Sequence, residues 1–224
     1  MEKKMERRIR ERLMRIIILL VGLTIAHFGV TLFLLADLGA DPFNVLVQGL
    51  YRFLARMSGM QFLTHGRVHI TICFIIIVVL LVVDRAYIKI GTILCMICGG
   101  PIIDFFQWIL APVFQNGQPF AVMIIVNCIG CGILAFGMTI VIKSDAGTGP
   151  NDLVALVISE KCHRKFSIVR ILVDFSFVLA GFVLGGSIGI GTIICAFVVG
   201  PVAGFFMPYS ERIVQRAMRQ NGVS

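Results

Sequence analysis

Two ionisable side chains inside an apolar segment are the clearest candidates for chemistry in this sequence. Arg170 and Asp174 lie one helical turn apart in the apolar stretch that begins at Phe166, and residues at this spacing share one face of a helix. Charges within membrane-spanning segments are costly and commonly mark the path of an ion or a solute. The pair therefore has two interpretations, a structural ion pair within a helix bundle and a part of a binding site.

A second set of polar residues surrounds two turns, at 39–42 and 147–150, that each lead through glycine and proline into a short apolar helix. Proline is favoured at the first helical position, and a helix N-terminus presents unpaired N–H groups with a partial positive charge. If these turns enter the membrane, they could hold an anion or a polar solute. If they lie at the membrane surface, their polar residues only cap the helices. Both sets together give the predicted substrate-binding residues: Asp41, Asn44, Gln48, Asn151, Asp152, Arg170 and Asp174.

The remaining polar groups do not indicate an enzyme or a metal site. His65 and His69 have the i, i+4 spacing of helical metal ligands, but no carboxylate or cysteine lies beside them. The two C-x-x-C pairs lie in apolar helices, where free cysteine packs as a small hydrophobic residue. The sequence contains no nucleophile elbow, phosphate-binding loop or zinc-protease motif. We therefore predict no catalytic residue, no metal and no cofactor.

The composition requires lipid as the solvent for much of the surface. Of the 224 residues, 58% are hydrophobic and 14% are charged, whereas soluble domains carry about 25% charged residues. The net charge is +8, and half of the Lys and Arg residues lie in 1–15 and after residue 210. These basic runs adjoin apolar segments and contain no interleaved aromatic residues, so they are typical of positive-inside topology signals that attract anionic lipid. The predicted partner is the lipid bilayer, and nucleic-acid binding is not expected.

The apolar stretches predict the helices that position these groups. A span needs about 20 apolar residues. We predict six spans: Leu13–Ala36, Val68–Val83, Ile88–Leu110, Phe120–Ile142, Phe166–Leu184 and Ile188–Met207. The two short helices, Pro42–Met57 and Pro150–Cys162, would reach about 24 Å and 20 Å at 1.5 Å per residue, against a hydrocarbon core of about 30 Å.

Whether the short helices cross the membrane decides between six spans and eight short spans. In both arrangements the loops on the inner side carry six basic residues and those on the outer side carry three, so the positive-inside rule does not decide. Both arrangements place the two termini in the cytoplasm. We favour six spans because the second short helix has few apolar residues before Glu160 and Lys161.

An internal repeat organises the chain. Residues 90–106 match residues 190–206 at nine positions with an offset of 100, and the two turns match at an offset of 108. We predict an all-α polytopic membrane protein, a single membrane domain of two homologous repeats, each with four helical elements. The repeats cover about 13–115 and about 119–209, between basic cytoplasmic tails at 1–12 and 210–224. Duplicated membrane units with interrupted helices are typical of transporters, whose sites lie between the repeats, although a purely structural bundle could also be duplicated.

The order of these motifs resembles the YczE/YyaS/YitT family of bacterial integral membrane proteins. The resemblance rests on the turn Gly39-x-x-Pro42-Phe43, its copy at 147–152 and the late Gly-Thr…Gly-Pro helix, and it covers about Arg15 to Tyr209. The chain is similar to the short YczE-like branch, since it ends about 15 residues after its last predicted span. The resemblance implies a protein of the bacterial cytoplasmic membrane and supplies no substrate.

Two functions follow from the sequence. The first is a secondary transporter or permease for a small polar or anionic solute, with its site between the repeats. The second is a membrane partner or regulatory subunit that transports nothing and uses the basic N-terminal tail to dock a soluble protein. A membrane enzyme is not expected, and both functions are compatible with a homo-oligomer.

Overall fold

The computed structural model describes residues 2–58, 65–83, 85–114 and 118–220, and these ranges form helices and short connections without a β-strand. A single 3₁₀ turn, Arg85–Tyr87, precedes the fourth α-helix. The α-helices are α1 Glu2–Leu35, α2 Pro42–Ser58, α3 His65–Val83, α4 Ile90–Phe114, α5 Phe120–Lys143, α6 Pro150–Lys161, α7 Phe166–Val183 and α8 Ile190–Gln220.

Within the described residues the eight predicted helices are present in the predicted order, and α1 and α8 extend furthest beyond their predicted bounds. Helix α1 begins at Glu2 and α8 continues to Gln220 through Pro201 and Pro208. The predicted tails are therefore helical over 2–12 and 210–220. Residues 1 and 221–224 of the predicted tails, and residues 59–64, 84 and 115 of the predicted first repeat, lie outside the described ranges.

Five helices, α1, α4, α5, α7 and α8, are long and apolar enough to cross a membrane. The sixth predicted span, Val68–Val83, lies in α3, whose apolar part, Arg67–Val83, is shorter than these five. The chain is thus an all-helical multi-pass membrane protein. Its number of crossings stays a prediction.

Ion pairs define one end of the bundle, which we call the tail side. Arg15 near the start of α1 pairs with Asp145 at 2.9 Å, and Lys89 before α4 pairs with the same carboxylate. Lys143 at the end of α5 pairs with Glu211 of α8 at 2.7 Å. The described ends of α1 and α8 both lie beyond these pairs, so they extend from the same side of the bundle.

The opposite end, the far side, is where the chain leaves α1 and enters α8. The Gly191 N–H donates to the Leu38 carbonyl at 2.8 Å. On this side Arg52 of α2 donates to the Gly185 carbonyl at 2.8 Å and to Ser187 Oγ at 2.9 Å. The later part of α2 therefore lies at the far side.

Helix α6 runs the other way. The Tyr87 hydroxyl, in the connection from α3 to α4, donates to Glu160 near the end of α6 at 2.6 Å. Because α4 begins on the tail side, the end of α6 also lies there. Helices α2 and α6 thus end at opposite sides of the bundle, and their first turns meet in its interior.

The first long helix of the chain packs on α5 along the most extensive helix contact of the fold. A Cβ atom built on Gly29 of α1 would lie 2.4 Å from the Leu134 nitrogen, and one on Gly137 of α5 would lie 2.3 Å from the Ala26 nitrogen. Small residues allow such close approach of helix backbones within membranes, where packing and hydrogen bonds replace the hydrophobic effect. The crossing of α1 and α5 forms the rigid centre of the bundle.

Helix α7 packs closely on the next helix, α8, whereas α3 does not pack closely on the next helix, α4. Helix α7 packs on α8, and a Cβ atom on Gly200 would meet the Ser167 carbonyl oxygen at 2.8 Å. Between α3 and α4 the described residues share no extended face. A Cβ atom on Gly100, which matches Gly200 at the offset of 100, would find no heavy atom within 4 Å. A gap therefore separates α3 from α4.

Candidate functional site

The first turns of α2 and α6 line one cavity of about 280 Å³, which we call the central cavity. Its walls come from α1, α3, α4, α5, α7 and α8 as well as from the two short helices. Gly100 is exposed on the α4 wall, so the cavity continues into the gap between α3 and α4. Polar groups concentrate where the short helices begin.

The start of α2 is fully capped by its own chain. Asp41 Oδ1 accepts hydrogen bonds from the N–H groups of Phe43 at 3.1 Å and Asn44 at 3.2 Å, and Asp41 Oδ2 accepts from the Asn44 amide at 2.6 Å. Pro42 has no N–H, and the Val45 N–H donates to the Asp41 carbonyl at 2.9 Å. Asp41 is thus a helix cap of the favoured type, and no N–H group of this turn remains for a solute.

The start of α6 uses a different arrangement. Gly149 precedes Pro150 and offers no side-chain cap, and Asp152 supplies a carboxylate in the first turn. That carboxylate bonds Arg170 of α7 rather than the N–H groups of its own helix. The partial positive charge at the N-terminus of α6 is therefore balanced by the Asp152 carboxylate, which also forms an ion pair with Arg170 of α7.

Arg170 connects the two carboxylates next to the cavity. Its Nη1 donates to Asp152 Oδ1, and its Nε donates to Asp174 Oδ2 at 2.9 Å. The side chain of Arg170 is 9% exposed and that of Asp174 is 1% exposed. The remaining oxygen of Asp174, Oδ1, is buried and has no hydrogen-bond partner among the described residues. Buried charges are stable only when they are paired and hydrogen-bonded, so this triad joins α6 to α7.

Most of the predicted site residues come together here. The central cavity is lined by five of the seven: Asp41, Asn44, Asn151, Asp152 and Arg170. Asp174 lies behind Arg170 as its ion-pair partner. Gln48 lies elsewhere, since its Oε1 accepts from the Ser187 N–H at 2.7 Å in the connection between α7 and α8.

Of the ionisable residues on the opposite walls, sequence reasoning missed His27 and considered His69 only as a metal ligand. His27 of α1 and His69 of α3 both line the cavity, together with Cys95 and Cys195, which match at the offset of 100. His27 Nδ1 lies 2.8 Å from the Leu23 carbonyl, and a carbonyl can only accept, so Nδ1 carries a proton. The signal for His27 was its place inside an apolar span, where an ionisable residue points to function.

A second, larger cavity of about 470 Å³ lies at the tail side. It is lined by Lys89, Lys143, Asp145 and Glu160, and also by Thr148, the residue before Gly149 of the central cavity. The connection between α5 and α6 therefore separates the two cavities. Its ion pairs with Arg15 and Lys89, described above, hold it in place.

Each of the two turns is bonded to the first residues of a long helix, α8 on the far side and α4 on the tail side, and the two backbone hydrogen bonds are equivalent. The Gly91 N–H donates to the Ala146 carbonyl at 2.9 Å, as Gly191 does to Leu38 on the far side. The side-chain bonds differ, because Thr192 Oγ1 donates to the Ala40 carbonyl at 2.5 Å, whereas the buried hydroxyls of Thr92 and Thr148 have no partner in the part of the chain that the structure describes. At the matched threonines, only the far-side hydroxyl has a partner among the described residues, whereas on the tail side Lys89 Nζ donates to the Asp145 carbonyl at 3.0 Å.

This difference predicts opposite effects for one substitution at matched positions. Thr192→Val should lower the free energy of unfolding by about 1 kcal/mol, because the Ala40 carbonyl loses its donor. Thr92→Val should leave stability unchanged or raise it, because a methyl group replaces a hydroxyl that makes no bond. Unfolding in mixed detergent micelles measures both. Equal losses in the two variants would contradict the assigned difference between the junctions.

The fold and site define a multi-pass helical membrane protein with an ion triad beside an interior cavity. Residues 13–208 match the family of unknown function DUF6198, and the chain belongs to that family. It is 30% identical over 198 residues to the uncharacterized membrane protein YczE of Bacillus subtilis (strain 168), a match that covers 88% of this chain and 87% of YczE. An uncharacterized protein of Haemophilus influenzae (strain ATCC 51907 / DSM 11121 / KW20 / Rd) is also 30% identical, over 88% of this chain and 84% of its own.

YyaS of Bacillus subtilis (strain 168), likewise uncharacterized, is 26% identical over 86% of this chain and 92% of its own. The resemblance to YczE and YyaS that the motifs predicted is thus confirmed. No solved structure matches the chain significantly.

Proposed function

We propose that the protein is a secondary transporter of the bacterial cytoplasmic membrane that moves a small polar solute through the central cavity. One observation carries the proposal: two short helices from opposite sides of the bundle begin at the same interior cavity, beside a buried ion triad. Interrupted helices whose ends meet in the interior are the usual construction of transporter sites. Both termini lie in the cytoplasm in this proposal.

The proposal includes two repeats of four helical elements with inverted orientation. Residues that match at the offset of 108 have the same backbone conformation in both halves, and this supports the repeat. Asp37 and Asp145 both have positive φ, at 47° and 57°, and so do Gly39 and Gly147, at 132° and 133°. Helix α2 of the first half packs on α7 of the second, and α6 of the second packs on α3 of the first. Such exchange across the halves is what a site between two repeats requires.

Alternating access follows from the unequal junctions. On the far side, α7 packs on α8 and the Thr192 hydroxyl closes the turn. On the tail side, α3 stands apart from α4, and the Thr92 hydroxyl has no hydrogen-bond partner among the described residues. In the proposed cycle each half adopts the arrangement of the other, so the closed junction opens while the open one closes. Inverted repeats exchange access in this way.

Access of water-soluble reagents to the cavity tests this function without knowledge of the solute. Gly100→Cys places a thiol on the cavity wall in open space. We expect it to react with membrane-impermeant methanethiosulfonate reagents from both faces, in right-side-out and inside-out vesicles. Peptide mass spectrometry separates this cysteine from the seven native ones.

Gly132→Cys is the matched control. Gly132 lies on α5, its Cβ atom would also meet open space, and it does not line the cavity. We expect this cysteine to stay unreactive from both faces, since it lies within the span and outside the cavity. Reaction of Gly100→Cys from one face only, or from neither, would contradict transport.

The second function, a membrane partner or regulatory subunit, is supported by the extended ends of α1 and α8. The two helices pack through Ile18 and Val214 at the tail side. Beyond that contact both carry exposed arginines, and these form a basic surface: Arg8, Arg10, Arg12, Arg216 and Arg219. Co-purification of a soluble protein in fixed ratio, lost when the arginines of α1 are replaced by glutamine, would favour this function.

A further inference from the structure

The charges around the central cavity are unequal. Three carboxylates, those of Asp41, Asp152 and Asp174, face a single guanidinium, that of Arg170. Two negative charges therefore have no counter-ion among the charged side chains of the cavity. His27 and His69 are the other basic groups on its walls.

The helix N-termini compensate only part of this charge. Each provides the equivalent of about half a positive charge, so the two together balance about one of the two negative charges. At α2 that positive end is already bonded by Asp41 through the N–H groups of Phe43 and Asn44. An anionic solute would find no free donor there and would meet the Asp41 carboxylate.

Asp174 gives an independent indication of negative charge that Arg170 compensates only in part. Its side chain is 1% exposed, and Oδ1 has no partner although Oδ2 is bonded by Arg170. The charges of Asp152 and Asp41 also act on it, so it belongs to the same charged group as the cavity wall. A buried carboxylate oxygen without a donor is costly, and a positive charge brought into the cavity would reduce that cost.

The opposite wall offers an acceptor rather than a donor. His27 Nδ1 donates to the Leu23 carbonyl, so in the neutral imidazole Nε2 is an acceptor. An ammonium group carries three N–H donors and no acceptor. It fits a cavity in which carboxylates stand on one wall and an imidazole lone pair on another.

We infer that the solute of the central cavity is a small organic cation with an ammonium group, rather than an anion. This inference rests on the proposed transport function and specifies its substrate class. The volume of about 280 Å³ lies just below the usual range of about 300–1,000 Å³ for small-molecule sites, which suits a compact amine. The cation would neutralise the carboxylates that Arg170 and the helix N-termini leave uncompensated.

The Gly100→Cys reporter measures the sign of the charge directly. The reagents are the cationic 2-(trimethylammonium)ethyl methanethiosulfonate and the anionic 2-sulfonatoethyl methanethiosulfonate. The measured quantity is the rate with the cationic reagent over the rate with the anionic one, divided by the same ratio for free 2-mercaptoethanol. We expect it to exceed about tenfold, because one charge within several ångströms acts strongly in a cavity of low dielectric constant. Native Cys95 and Cys195, also on the wall, give a second reading in the unmodified chain.

Two further variants locate the charge. Asp41→Asn keeps a favoured helix cap and removes one carboxylate from the cavity, so the ratio should fall severalfold. The same fall is expected for Asp152→Asn. A ratio near one or in favour of the anionic reagent would overturn the cationic substrate and leave transport standing. Reaction with neither reagent would overturn transport itself, so the two failures are distinguishable.

Discussion

Replacing Arg170 with methionine should lower the free energy of unfolding by about 3–5 kcal/mol, the cost of leaving buried carboxylates without their partner. Methionine retains much of the side-chain volume, so the loss reports the charge. Asp152 and Asp174 would both lose the guanidinium, and α6 would lose its link to α7. Reversible unfolding with sodium dodecyl sulfate in mixed micelles measures the change.

Two variants show whether the effect comes from the triad. Arg164→Met, at an exposed position before α7, should change stability by no more than about 0.5 kcal/mol. In the Arg170→Met background, Asp174→Asn should recover part of the loss, because it removes one of the unpaired carboxylates. No recovery, or a loss equal to that of Arg164→Met, would show that the triad does not stabilise the bundle.

Gly137→Ala should destabilise the protein by about 1–3 kcal/mol, the usual cost of overpacking a well-packed contact. The added methyl group would lie 2.3 Å from the backbone nitrogen of Ala26 and 2.7 Å from the backbone oxygen of Gly22. Backbone atoms cannot rotate away, so α1 would have to shift relative to α5. The loss should appear in the same unfolding measurement.

Gly132→Ala provides the matched comparison on the same helix. Its methyl group would meet no atom within 4 Å, and alanine is favoured over glycine in a helix interior by roughly 0.5–1 kcal/mol. This variant should therefore be as stable as the native protein or more stable. Equal destabilisation of the two variants would mean that the loss at Gly137 does not come from the crossing with α1.

Local patterns in the sequence were enough to predict the helices. Pro42 and Pro150 each begin a short helix at the predicted residue, because proline fixes its own backbone and is favoured at this position. The helical ends of α1 and α8 were not predicted, because the predicted spans followed hydrophobicity, and the apolar sequence ends near Arg15 and Met207. The backbone hydrogen bonds of both helices continue beyond these residues into polar sequence.

The contents of the site were predictable only where neighbours in sequence are neighbours in space. The i, i+4 rule paired Arg170 with Asp174. It could not indicate that Asp152, 18 residues earlier, holds the other side of the guanidinium. Gln48 was assigned to the site by its spacing from Asn44, but the connection between α7 and α8 covers it. Such contacts depend on how distant helices pack.

The gap between α3 and α4 makes the surrounding lipid a part of the site. Gly100 faces the cavity and is exposed, and on both sides of the gap large apolar side chains face outward, among them Phe74 and Ile97. In a bilayer, acyl chains complete the wall that protein does not supply. If the cavity binds a solute as proposed, its affinity should depend on the chain length and unsaturation of the annular lipids. The protein in nanodiscs of defined composition should then bind the solute with a different affinity from the protein in detergent micelles.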